Sequence, residues 1–103
     1  MPTFQEALYY LGIDEVDEMI TANVNRAMAT AAARLHGAIG KDVEVYLPDD
    51  SRITELALIY TRESYDADSL TEKARAALKH QRDDLEPQLK LELWAAKGKA
   101  GVI

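Results

Sequence analysis

Phe4, Leu8 and Leu11 recur at helical spacing with Ala7 beside them, so the first amphipathic segment reads as a helix over residues 4–11. Thr3 and Glu6 stand where a capping box needs them, at the N-cap and three residues further on. Gly12 suits the left-handed residue that closes a helix, and Ile13 is the apolar residue expected to fold back after it. A second helix is expected within two residues, with Asp14 as its cap. Glu15, Asp17 and Glu18 fill its first turn, where carboxylates meet the positive end of the helix dipole. Val16, Met19, Ile20, Val24, Ala27, Met28, Ala31 and Leu35 then form the longest apolar stripe in the chain, ended by Gly37 and Gly40. That length predicts a central element, and its alanines predict close approach by a neighbouring helix.

The segment "KDVEVYLPDD" breaks the helical pattern. Val43, Val45 and Leu47 alternate until Pro48 interrupts them, which predicts a loop or a short extended piece over residues 41–48. A third helix is expected from a cap among Asp49, Asp50 and Ser51, with Ile53, Leu56, Ala57 and Tyr60 inward and "SYDAD" as its end. Ser69 and Glu72 offer a second capping box. Leu70, Ala74, Ala77, Leu78 and Leu85 supply the stripe of the helix that follows. Pro87 should end or kink that helix, or open a new one. In residues 88–94 the leucines fit a strand at spacing two and a helix at spacing four; their straight-chain neighbours favour helix. The expected fold is therefore an all-α bundle of four to five helices in one domain, residues 1–95, with a flexible tail over 96–103.

Charge changes this picture more than composition does. The net charge is −6 and the pI about 4.8, a poor balance for wrapping nucleic acid, whose phosphates require clustered Lys and Arg. Such a chain can still line a passage through which DNA slides without adhering. There is no cysteine, so disulfides, thiolate metal sites and cysteine nucleophiles are excluded. No apolar run approaches the roughly 20 residues needed to span a bilayer, and "MPTFQEAL" does not resemble an export signal.

Candidate chemistry is sparse. His36 and His80 each stand alone in a helical segment, and no Ser or Asp is spaced to complete a triad with either. Asp66, Asp68 and Glu72 suggest a calcium loop only until its missing glycine and displaced final glutamate are noted. The tight first turn invites a helix-turn-helix reading, but "DEVDEM" would put carboxylates against phosphates. No catalytic residue, cofactor site or metal site is expected. What remains is surface: Tyr9 lies off the first stripe, and Trp94 lies near the end of the chain, as amphipathic aromatics at protein contacts do. The candidate interface residues are the acidic set Asp14, Glu15, Asp17 and Glu18, the basic set Arg75, Lys79 and Arg82, and an apolar anchor of Leu91 with Trp94.

The order of parts resembles the small head–tail connector (adaptor, or head-completion) proteins of tailed bacteriophages with siphovirus-type tails. The matching residues are "ALYYLGIDEVDEMI", the alanine-rich helix ending "LHGAIGKDV", the acidic cap "PDDSRI", then "TELALIYTRESY" and "LKLELW", which together cover most of the chain. The resemblance implies a helical, non-catalytic subunit without cofactors. It implies a homo-oligomeric ring docked under the phage portal protein, presenting a platform to the next head-completion or tail-joining protein. DNA would pass through the ring's channel without sequence-specific binding. The implied location is the head–tail interface of the virion, after assembly from the host cytoplasm, with no membrane contact. A different class also fits the residues: a small acidic helical adaptor or regulator that binds one partner protein without forming a ring. A small enzyme ranks last for want of a site.

Overall fold

In the computed structural model, which describes residues 1–99 and 101, the fold begins with the capping box read from the sequence. Thr3 Oγ1 accepts the Glu6 amide at 3.1 Å and Glu6 Oε1 accepts the Thr3 amide at 3.0 Å, which starts α1 (Phe4–Leu11). Gly12 closes it at φ 74°, with its amide donating to the Tyr9 carbonyl and the Ile13 amide to the Leu8 carbonyl.

The second helix starts later than its pattern suggested. Asp17, not Asp14, is the cap of α2 (Glu18–Ala38): its Oδ1 accepts the Ile20 amide at 2.8 Å. Asp14 and Glu15 therefore lie in the connection between the helices, so the turn at Gly12 does not by itself fix their angle. The expected loop at 41–48 contains one helical turn, α3 (Val43–Tyr46). Helical rather than alternating geometry buries Val43 and turns Val45 outward. Asp50 caps α4 (Ser51–Tyr65). The box expected from Ser69 does not form: the Ser69 hydroxyl donates to the Asp66 carbonyl, and Thr71 Oγ1 accepts the Ala74 amide instead.

Thr71 thus opens α5 (Glu72–Lys99), the longest helix, which settles residues 88–94 as helix. Pro87 lies inside α5 and does not end it. Its missing amide removes one backbone bond, while buried Leu78 before it and buried Leu89 and Leu93 after it hold both halves to the core. Residues 96–99 continue this helix, so the expected tail does not begin at 96; Ala100, Val102 and Ile103 lie outside the described residues. The protein is all-α, and no strand occurs among the described residues.

Two apolar clusters make the core. The larger joins Ala31 and Leu35 of α2, Val43 of α3, Ile53, Leu56 and Tyr60 of α4, and Leu89 and Leu93 of α5. The smaller joins Ala7 and Leu8 of α1 to Val24 of α2, with Leu58 and Tyr65 of α4 packed against it. Between them α2 and α4 form the most extensive helix pair, with buried Ala27, Ala31 and Ala57 keeping the two surfaces shallow. Thr61 is the one buried polar residue of the described set, and its hydroxyl donates to the Ala57 carbonyl at 2.7 Å. The resulting body measures 46 × 29 × 18 Å, with α1 at one end of α2 and α3 with the last turns of α5 at the other.

Candidate interaction surfaces

The four acidic residues singled out by the sequence share one end of the molecule. Asp14, Glu15, Asp17 and Glu18 are all exposed, and none has a basic partner within 4 Å among the described residues. With Glu6 they are the only charged side chains before Arg26. Together they make this end of the surface acidic.

The basic set is not a matching free face. Arg75 donates to the carbonyls of Ala67 and Leu70 and ties down the start of its own helix. Lys79 pairs with Asp83 at 2.6 Å, and that hydrogen bond holds the Asp83 carboxyl below its ordinary range. Arg82 crosses to α4, where its Nε meets both Glu63 carboxylate oxygens at 3.1 Å. Arg34 of α2 reaches the same carboxylate at 3.4 Å, so Glu63 links three helices. Helical spacing put the three cations in sequence register, but acceptors on α4, on α5 and in the loop before α5 engage them within the fold.

The apolar anchor is exposed. Leu91 retains 66% and Trp94 64% of their accessible surface, on the side of α5 away from buried Leu89 and Leu93. Lys90 lies one turn before Trp94 on that side, and no carboxylate of the described residues is within 4 Å of it. Sequence reasoning missed Lys90, because its position beside Trp94 has meaning only once residues 88–94 are helical. One turn beyond Trp94 the same flank of α5 is fixed: Lys97 bonds Asp42 at 2.9 Å and lies over the Tyr46 ring. Gly40 approaches so closely that an added Cβ would come within 2.7 Å of a Leu93 methyl.

At the far end, Tyr9 projects from α1 with 90% of its surface exposed. It stands between two shallow grooves. One, of about 560 Å³, is lined by Gln5, Glu6, Tyr10 and Leu58 as well as Tyr9. The other, of about 440 Å³, runs from Phe4 and Leu8 past Ile13 to Asp14 and Val16. Behind Tyr9, the ring of Tyr10 lies 4.6 Å from the Arg62 guanidinium, which also donates to the Tyr10 carbonyl. Burial pushes the Tyr10 phenol above its ordinary value. This bracket anchors the C-terminal half of α1 to α4 and gives Tyr9 a rigid base. A separate polar cleft of about 420 Å³ lies between Asn23, Arg26 and Thr30 of α2 and Ser64 and Tyr65 of α4.

The histidines have local partners, Glu44 at 2.7 Å for His36 and Asp84 at 3.8 Å for His80. Among the described residues no group of three His, Cys, Asp or Glu side chains is placed to hold a metal ion, and no helix is long and apolar enough to cross a membrane. No protein-family model, curated protein or solved structure matches the chain.

Proposed function

We propose that the protein is a structural subunit of a phage or prophage head–tail connector, assembling as a ring beneath the portal, extending the DNA channel and offering a platform for tail joining. The observation that carries this reading is the pairing of an elongated helical body with large apolar side chains left bare at both ends, Tyr9 on one and Trp94 on the other. A ring subunit needs two different faces, one for each neighbour. An isolated adaptor with one partner needs only one.

The acidic surplus also suits a channel wall, since unpaired carboxylates repel phosphates and let DNA pass without adhering. The experiment is to mix the purified protein with portal-bearing, DNA-filled capsids and image the vertex. Ring density below the portal is the expected result. Failure to add density there, with one-to-one binding to another protein instead, assigns the chain to the adaptor class.

A further inference from the structure

We propose that the Tyr9 ridge of α1, with its two grooves, is the docking site for the outer face of the C-terminal half of α5 from a second copy of this chain. Tyr9 would sit against Leu91 and Trp94, and Lys90 of the incoming helix would face Asp14 and Glu15. The inference deepens the connector reading, and rests on it for the idea that the contacts close into a ring; the contact itself stands on separate observations.

The first observation is apolar. Tyr9, Leu91 and Trp94 are among the few large apolar side chains left mostly exposed, and they group into two patches. One patch is concave, with grooves on either side of a ring; the other is a convex helix face. A helix laid into an apolar groove is a recurrent mode of recognition, read through anchors at spacings of three and four. Leu91 and Trp94 have that spacing.

The second observation is charge. The groove end carries Glu6, Asp14, Glu15, Asp17 and Glu18 before any basic residue appears in the chain. Residues 88–99 carry Lys90, Lys97 and Lys99 against a single Glu92. Lys97 is engaged by Asp42 and Glu92 approaches Arg52 at 3.5 Å, which leaves Lys90, beside Trp94, and Lys99, at the helix end, as the exposed cations of this segment. Two groove ends brought together would repel, as would two α5 faces. Contact between unlike patches, groove end against α5 face, is therefore favoured over contact between like ones.

The third observation is placement. α1 packs on α2 near Val24, whereas the last turns of α5 pack near Leu35 and Ile39. At 1.5 Å per residue those positions are roughly 20 Å apart along α2. One subunit can therefore engage two neighbours at once, and neither patch can reach the other within its own chain.

The absence of cysteine makes the test direct. Gln5→Cys, exposed and lining both grooves beside Tyr9, and Gly98→Cys, exposed one turn beyond Trp94, leave the anchors in place; they are prepared separately and mixed at high protein concentration with a short bismaleimide. Covalent dimers are expected in the mixture and not in either variant alone. Equal yield from a single variant, or no dimer in the mixture, overturns the proposal. A charge exchange gives a second reading. Asp14→Lys should weaken association about tenfold, and a partner carrying Lys90→Asp should restore it; no restoration overturns the assigned register. The two readings of the protein fail separately. Ring density at the capsid vertex without the cross-link keeps the connector and removes this interface. The cross-link without ring density keeps the interface and removes the connector.

Discussion

Helices α4 and α5 divide the work of the molecule unequally. In α4, Ile53, Leu56, Ala57, Ile59, Tyr60 and Thr61 are buried within 15 residues; in α5 only Leu78, Leu89 and Leu93 are buried within 28. α4 is enclosed by α1, α2 and α5, while much of the circumference of α5 faces outward. The difference teaches where each property of the protein resides. Stability depends on the seam between α2 and α4. Surface chemistry is displayed by α5 and by α1 at the other end.

The largest test of that contrast is Ala31→Glu, which places a carboxylate in the packed surface that holds α4. It should cost roughly 4 kcal/mol or more, enough to unfold much of the population at 25 °C, because a buried unpaired charge has no compensating partner. Circular dichroism during urea titration is the measurement, and a wild-type midpoint would show that the seam is not central. Next in size, Leu56→Ala should cost about 2–5 kcal/mol by the same measurement, since it leaves a cavity where the side chain is fully enclosed.

Gly40→Ala probes how α5 is held. The residue has φ 152°, and its new Cβ would press on Leu93. A loss of about 1–3 kcal/mol is expected; a neutral outcome would mean that the C-terminal half of α5 shifts freely.

Asp50→Asn addresses the entrance to α4. The Asp50 carboxyl, hydrogen-bonded by Arg52, is held below its ordinary value of 3.8. A lowered folded-state value means that its stabilisation is complete above about pH 4 and is lost as the pH falls through the folded value. The variant should be about 1 kcal/mol less stable at neutral pH. The gap from wild type should shrink below pH 4, as read from urea midpoints across the acid range. The smallest effects belong to the outer side of α5. Leu91→Ala and Lys79→Ala should each change stability by less than about 0.5 kcal/mol. A larger loss from Leu91→Ala would show that this face is part of the core.

The same contrast governs what the sequence could reveal. The inward face of α4 was legible because Ile53, Leu56, Ala57 and Tyr60 repeat at helical spacing with no competing pattern. α1 was equally plain, since its cap, stripe and glycine agree. Elsewhere local signals competed. Asp14 and Asp17 are both acceptable caps, and packing chose the later one. Val43 and Val45 alternate as a strand does, yet burial of Val43 beside Leu35 and Leu93 favoured one helical turn. Pro87 signals a helix end, and leucines on both sides overrode it. Of the candidate interface residues, the acidic set and the Leu91–Trp94 pair were readable as exposed. The engagement of Arg82 by Glu63 was not, because it joins two residues 19 positions apart on different helices.

Trp94 is the only tryptophan in the chain, and it stands on the surface. Its indole is therefore a spectroscopic witness to the neighbours of the molecule rather than to its interior. Emission from the dilute protein should peak near the wavelength of indole in water, and unfolding in urea should move it little. Enclosure by a second copy or by another protein should shift the emission to the blue and shield the ring from iodide quenching. A fluorescence titration against protein concentration would follow assembly as it happens, with the five tyrosines left as a separate, shorter-wavelength signal.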